Sequence, residues 1–294
     1  MQRCTYRFAR QSDLQTIRSE LSRGAWNRLS ELLEFSCTRP EWIILGFAAG
    51  ALAGTLALAT HTEFGLPLEL FEFHGGPKGR IDSLGMFHVA IEKARSLGSR
   101  ELFYTVPEDS AEIEIISDAG FRHWRNVMRF ESKGPADPGV RGYRSAKASD
   151  LDQTEIIALI EQTSEFSADS QIEFYRRRFG GLADAKMTLE VMEFTEYDPR
   201  WWRVALTPGG RLIGIVLPVL AFGEPTIGFI GVKPECRGRK ITSFLLAEAW
   251  KIMKDAGYST LYAEADQRNV SMHRGLNASR FTLQCRKQEW RLEL

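Results

Sequence analysis

Residues 227–242 read IGFIGVKPECRGRKIT, and this is the most informative stretch of the chain. Its first six residues, apolar apart from two glycines, predict a buried strand that ends before Pro234. A short basic turn around Gly238 follows, and residues 243–256 then carry apolar side chains at helical spacing. A strand, a tight turn and a helix in this order leave the first N–H groups of the helix without intrahelical partners. These donors and the helix dipole favour an anion, above all a pyrophosphate.

The same stretch resembles the central motif of the GNAT superfamily of N-acetyltransferases, in which a strand, Val-x-Pro-x-x-Arg-Gly-x-Gly-x-Gly/Ala and a helix bind coenzyme A. Lys240 and Thr242 stand where that family usually has Gly and Gly or Ala. The matching residues are Val232, Pro234, Arg237 and Gly238. The resemblance implies an acetyl-CoA site formed by Ile230, Val232, Arg237, Gly238, Arg239, Lys240, Ile241, Thr242 and Asn269. It also implies a V-shaped gap between the strands at Ile230 and Leu261, where the pantetheine arm would lie.

A second segment, residues 261–281, extends the resemblance. It predicts a strand that runs into a loop, then a short helix over 270–278. Asn269 before the helix and Phe281 after it match the GNAT pattern. Leu276 stands where the family often has a tyrosine general acid, and Arg280 replaces a glycine.

The predicted catalytic residues follow from this segment. Glu264 on the splaying strand is the expected general base, with a solvent-facing carboxylate as the alternative. Asp266 is a second candidate base, although a turn-capping role suits it better. With the tyrosine missing, His273 is the expected proton donor to the thiolate, and Ser271 and solvent stay open. Arg268 is predicted either to meet the 3′-phosphate or to lie in solvent.

The chain also contains the same pattern twice. Residues 9–14 resemble 146–151 at a spacing of 137, whereas 50–56 resemble 210–216 at 160 and 97–103 resemble 256–262 at 159. The change in spacing places extra residues of the second copy between 150 and 201, where 166–185 predicts added helix and loop. Each copy predicts a helix after a Ser-Asp N-cap (Ser12 or Asp13, and Ser149 or Asp150).

This repeat predicts an α+β fold with two tandem GNAT-like domains, each a mixed, mostly antiparallel sheet flanked by helices. The tandem layout is similar to that of mycothiol synthase. The expected bounds are 1–133 for a degenerate first domain, 134–141 for a Pro/Gly-rich linker and 142–294 for the domain with the acyl-CoA site. The first domain is predicted to be degenerate because its turn, 77–82, places Asp82 where a phosphate would lie.

Composition narrows the function. Equal numbers of basic and acidic residues, 38 of each, argue against a nucleic acid or an anionic membrane as partner. Four scattered cysteines and five scattered histidines predict no disulfide framework and no metal site. The apolar stretch 42–60 contains three glycines and predicts two buried strands joined by a tight turn, not a membrane span. Without a signal peptide, the expected location is cytoplasmic.

The resemblance therefore implies an acyltransferase that moves an acetyl group from acetyl-CoA to the primary amine of a small molecule by direct attack. Two alternatives stay open. One is a non-catalytic protein that binds acyl-CoA or regulates, which Leu276, Lys240 and Thr242 favour. The other is an aminoacyl-tRNA-dependent transferase, which formal neutrality disfavours. The acceptor, the acyl chain length and a homodimer are left open by the sequence.

Overall fold

The computed structural model describes residues 4–60, 68–73, 83–137, 139 and 142–294. The strands are β1 (Cys4–Phe8), β2 (Ile43–Ala48), β3 (Ala51–Ala59), β4 (Leu68–Phe73), β5 (Glu101–Pro107), β6 (Arg122–Ser132), β7 (Arg144–Lys147), β8 (Arg203–Leu206), β9 (Leu212–Ala221), β10 (Glu224–Val232), β11 (Leu261–Asp266) and β12 (Thr282–Glu293). The helices are α1 (Leu14–Glu20), α2 (Arg23–Glu34), α3 (Ser83–Ser96), α4 (Ile113–Asp118), α5 (Gln153–Ser164), α6 (Ser170–Phe179), α7 (Gly181–Glu193), α8 (Ile241–Asp255) and α9 (Val270–Ala278). The predicted α+β class is confirmed.

The chain divides into two compact units whose limits differ from the expected domain bounds. The first unit combines Met1–Trp124 with Lys287–Leu294, and the second is Arg125–Arg286. Strand pairing explains the difference from the bounds 1–133 and 142–294. The end of β12 pairs with β5, and β6 pairs with β11, so each unit takes its last strand from the other half of the chain. That 134–141 is a linker between the two domains stays a prediction.

In the first unit the strand order is β1-β2-β3-β4-β5-β12. All pairs are antiparallel except β4 with β5. The C-terminal strand is part of the core of this unit, because Trp290 is buried among residues of β5 and α3. Arg291 forms an ion pair with the buried Glu101 across the β12–β5 pair.

In the second unit the order is β6-β11-β10-β9-β8-β7, and only β10 and β11 run parallel. Helices cover both faces. Cluster A, on one face, contains Val216 and Phe130 with α8, whereas cluster B, on the other, contains Ile215 and Leu217 with α5 and α7. The alternation of Ile215, Val216 and Leu217 between the clusters is the period of a strand buried on both sides.

The apolar stretch 42–60 is confirmed as a hairpin of β2 and β3. Ala49 and Gly50 both have positive φ, 51° and 80°, as a tight two-residue turn requires. In the part of the chain that the structure describes, no helix is long and apolar enough to cross a membrane.

The predicted N-cap of the second copy is wrong by a few residues. Ser149 and Asp150 lie in a 3-10 turn, and α5 begins later, after Asp152. The Asp152 carboxylate accepts the Glu155 N–H, and the Glu155 carboxylate accepts the Asp152 N–H, which forms a capping box. In the first copy Asp13 precedes α1, but its carboxylate binds Arg7 instead of the helix. The added residues of the second copy form α6 and α7.

Candidate functional site

The central feature of the second unit is a gap between β10 and β11. These parallel strands pair only at Thr226 with Tyr262 and at Ile227 with Ala263. A bulge at Gly228, where β10 gains one residue relative to β9, follows at once. A Cβ built on Gly228 would overlap the Met192 sulfur of α7, so a larger residue at the bulge would have to displace the Met192 side chain. Beyond it, β10 follows β9 and separates from β11.

Main-chain groups of β10 point into this gap. The Lys233 N–H donates to the Ile213 carbonyl of β9 at 2.9 Å. Because successive residues of a strand direct their N–H and C=O groups to opposite sides, those of Ile230 and Val232 point away from β9. The structure thus places the two predicted strand residues with their peptide groups facing the gap. The Val232 carbonyl already accepts the Arg237 Nε–H at 3.1 Å.

The turn after β10 presents a row of main-chain donors. Pro234–Cys236 forms a 3-10 turn, and α8 begins at Ile241 with no side-chain cap. Within the described residues, the N–H groups of 238–243 have no hydrogen-bond partner, and the first bonded one is that of Phe244, which donates to the Lys240 carbonyl. Gly238 (φ 76°) and Lys240 (φ 59°) are both left-handed and bend the chain here. An anion is the natural partner of such a turn.

The two unusual side chains of the motif do not fill this turn. Lys240 is exposed, and its left-handed backbone is one that glycine adopts without strain. Thr242 points at α9, because a Cβ built on Gly275 would lie 3.0 Å from its methyl carbon. Gly275 therefore makes room for Thr242.

The Arg237 side chain braces the turn, and its predicted part in the acetyl-CoA site stays a prediction. Its Nη2 donates to the Thr163 carbonyl at 2.9 Å and also to the Glu165 carbonyl, and its Nη1 donates to the Phe166 carbonyl at 3.3 Å. These carbonyls end α5, where a cation is favoured. Burial lowers the pKa of the Arg237 guanidinium, against the raising effect of nearby carboxylates.

Two other predicted ligands are also partly engaged. The Asn269 carboxamide oxygen accepts the Met272 N–H at 3.1 Å and so caps α9. Arg268 contacts Glu173 at 3.4 Å and Ser170 at 3.2 Å on α6, and its side chain is 65% exposed, so it lies at the surface as one of the two alternatives expected. Arg239 is exposed, with no ion pair in the described part of the chain.

Glu264 lies on β11 one residue beyond the paired segment and forms an ion pair with Arg129 of β6. The Arg129 Nη1 is 3.4 Å from its carboxylate. Tyr262, Glu264 and Asp266 alternate with Ala263 and Ala265, which pack in cluster A. Glu264 therefore lies on the sheet face that bears cluster B, with its side chain 35% exposed.

His273 lies on the opposite face of the sheet. Its ring is 5.5 Å from that of Phe130, a member of cluster A, and its Nε2 is 2.9 Å from the Asp266 carbonyl oxygen. Because a carbonyl only accepts, the Nε2–H is the donor. The two predicted catalytic side chains thus approach β11 from different sides.

The remaining predicted residues are structural. Leu276, at the position of the usual tyrosine, is fully buried in cluster A. The Asp266 carboxylate accepts the Arg268 N–H at 2.7 Å and the Ser170 N–H at 3.0 Å, which is a turn- and helix-capping arrangement. Arg129 was missed by the sequence analysis. The linear sequence does not show that β6 lies beside β11.

Comparison with known proteins agrees with this geometry. Residues 160–277 match the family model described as Acetyltransferase (GNAT) family. A GCN5-related N-acetyltransferase from Sphaerobacter thermophilus superposes with a TM-score of 0.68 at 16% identity, covering 99% of this chain and 95% of that one. A tandem GNAT protein from the clavulanic acid biosynthesis pathway gives 0.60 at 16% identity, covering 99% and 98%. A putative acetyltransferase from Pyrococcus horikoshii gives 0.56 at 12% identity, covering 100% and 90%. No curated protein sequence matches the chain.

Residues 160–277 are therefore similar to the GNAT family, and the whole chain has the fold of tandem GNAT proteins. The family supports acyl transfer from an acyl-CoA as the general activity.

Proposed function

We propose that the protein is an N-acetyltransferase that moves the acetyl group of acetyl-CoA to the primary amine of a small molecule. The observation that carries this proposal is the row of unpartnered N–H groups over 238–243, directly beside the β10–β11 gap. The row suits the diphosphate of coenzyme A, and the gap suits an extended pantetheine arm that pairs with the peptide groups of Ile230 and Val232.

The reaction follows from this placement. The amine nitrogen attacks the thioester carbon, a C–N bond forms, the C–S bond breaks and the sulfur leaves as a thiolate. A main-chain N–H of β10 at the gap stabilises the developing oxyanion, a contribution of about 3 kcal/mol for one donor. Glu264 takes the proton that the amine loses.

The thiolate needs a proton from elsewhere, because Leu276 is a buried aliphatic side chain. His273 and water are the two candidates. The imidazole is anchored by its Nε2–H to the Asp266 carbonyl, so proton donation to sulfur requires that this bond be exchanged.

Titration calorimetry with acetyl-CoA and with desulfo-CoA tests the site. Gly238→Asp puts a carboxylate and a strained backbone into the turn, so we expect acetyl-CoA affinity to fall at least tenfold. Gly257→Asp is the matched control. Gly257, after the other end of α8, also has positive φ (94° against 76°) and equally open surroundings. A wild-type chain that binds neither ligand, or equal affinity for both variants, contradicts the proposal.

A non-catalytic acyl-CoA-binding protein is the second candidate, and the core position of Leu276 favours it. Release of free thiol from acetyl-CoA with a panel of primary amines separates the two. Binding with amine-dependent thiol release indicates the transferase, whereas binding with no release from any amine indicates the binding protein.

A further inference from the structure

We propose that Arg129 is a positioning residue for the general base Glu264, an inference that rests on the proposed function. The Arg129 side chain is only 15% exposed. It reaches three strands. Its Nη2 is 2.7 Å from Glu224 of β10, its Nη1 is 3.4 Å from Glu264 of β11, and its Nε donates to the Gln284 side chain of β12 at 2.8 Å.

This set of partners fixes the orientation of the guanidinium. The group is planar and its N–H directions are rigid, so partners on Nε and Nη2 determine where Nη1 points. The Tyr262 ring lies under the guanidinium carbon, 4.2 Å from it, and blocks rotation toward the sheet. Burial lowers the pKa of Arg129, but the hydrogen bond to Glu224 and the charges of Glu224 and Glu264 outweigh it and raise that pKa. Arg129 is thus a permanent, oriented cation.

The position of the pair links it to the gap. Arg129 and Glu264 are direct cross-strand partners, and Glu264 is the first residue of β11 beyond its pairing with β10. Glu264 thus lies at the point where β11 no longer pairs with β10. Arg129 contacts it from β6, on the other side of β11.

The carboxylates of Glu224 and Glu264 bind Arg129 with different strength. Glu224, at 2.7 Å, is the anchor of the cation, whereas the 3.4 Å contact with Glu264 is weaker. During transfer the proton leaves the amine nitrogen and binds a Glu264 carboxylate oxygen. Arg129 keeps all its protons, so it acts by placing Glu264.

The pairing itself is testable without activity. In the full chain labelled with [15N]arginine, the Arg129 Nε–H signal is identified by its loss in Arg129→Lys. We expect Glu264→Gln to shift that signal, whereas Glu248→Gln on α8 leaves it in place. A signal that Glu264→Gln does not move overturns the inference, whether or not acetyl-CoA binds.

The role in catalysis is tested by thiol release from acetyl-CoA, with the most active amine or with water alone. We expect Arg129→Met to lower kcat about 10- to 100-fold, within the range of a general base, while KM for acetyl-CoA changes less than about twofold. Arg129→Lys is expected to recover part of kcat. Arg200→Met, which breaks an exposed pair with Asp198, is the matched control and keeps kcat.

Other results decide against the inference. An unchanged kcat in folded Arg129→Met, or in Glu264→Gln, overturns the inference. A fall in kcat accompanied by a comparable change in KM for acetyl-CoA, with no recovery in Arg129→Lys, also overturns it. Should Arg129→Met not fold, Gln284→Leu removes only the Nε partner and is expected to lower kcat several-fold, so an unchanged kcat there also overturns it. Failure of acetyl-CoA to bind the wild-type chain contradicts the proposed function instead.

Discussion

Asp184 makes the stability of the second unit depend on pH. Its side chain on α7 is 3% exposed, and its Oδ2 has no hydrogen-bond partner in the described part of the chain. Burial raises the pKa of this carboxyl from 3.8 to about 7, against the lowering effect of Arg176 and together with the raising effect of Asp169. The folded state therefore holds a proton that the unfolded state releases between about pH 4 and about pH 7.

The direction in which stability changes with pH follows from proton linkage. Where the folded state binds more protons, the free energy of unfolding falls as pH rises, so the stabilisation is complete below pH 4 and lost above about pH 7. A shift of about 3 units at about 1.4 kcal/mol per unit gives roughly 4 kcal/mol for the whole window. Between pH 5 and pH 8 the expected loss is about 2.5 kcal/mol.

Asp184→Asn removes the titration and keeps the shape. We expect the variant to gain about 2 to 3 kcal/mol relative to the wild type on going from pH 5 to pH 8. Urea unfolding of both chains at the two pH values, followed by circular dichroism, measures this difference. Asp150→Asn, at an exposed aspartate, is the control and shows no such gain. Equal pH dependence in Asp184→Asn and the wild type refutes the reasoning.

Two further predictions concern residues that pack beside the β10–β11 gap. Arg237→Met leaves three carbonyls at the end of α5 without their donor. We therefore expect the free energy of unfolding to fall by about 1 to 3 kcal/mol and acetyl-CoA to bind more weakly. Unchanged acetyl-CoA affinity and unchanged stability in this variant contradict the bracing role of Arg237. Gly231→Ala places a methyl group 2.6 Å from the Thr163 Cβ, with an expected cost of about 1 to 3 kcal/mol. Adding Thr163→Ala to the Gly231→Ala chain should recover part of that cost. If the urea midpoint of the double variant is the sum of the two single effects, the clash between the two residues is contradicted.

Local patterns in the sequence predicted the parts of the fold that form within one stretch of chain. The β2–β3 hairpin, the strand at 227–232 and the exact limits of α9 all depend on periodicity and on Gly or Asn at the right place, whereas α8 was predicted from residue 243 and begins two residues earlier, at Ile241. The turn over 77–82, on which the degenerate first domain depends, lies outside the described residues and stays a prediction.

Long-range pairing set the limits of prediction. The end of β12 pairs with β5, and β6 pairs with β11, but neither partner can be identified from the sequence of the strand itself. The internal repeat therefore assigned each of these strands to its own half of the chain. The partners of Arg129 come from strands 95 to 155 residues away, which no spacing in the sequence indicates. The clamp of Arg237 on Thr163 likewise depends on where α5 ends.

In the sequence, Lys240 and Thr242 favoured a non-catalytic protein because the motif was compared by its side chains. The turn, however, offers main-chain N–H groups, and these depend on backbone angles. Lys240 keeps the left-handed conformation at a cost of about 1 to 2 kcal/mol, and Thr242 directs its methyl group to the space left by Gly275. Both residues leave the main-chain donors of the turn in place. The leucine at position 276 has no such remedy, since a phenol acts through its own oxygen. If the proposed transfer takes place, thiolate protonation is therefore the step at which this chain differs from the GNAT pattern.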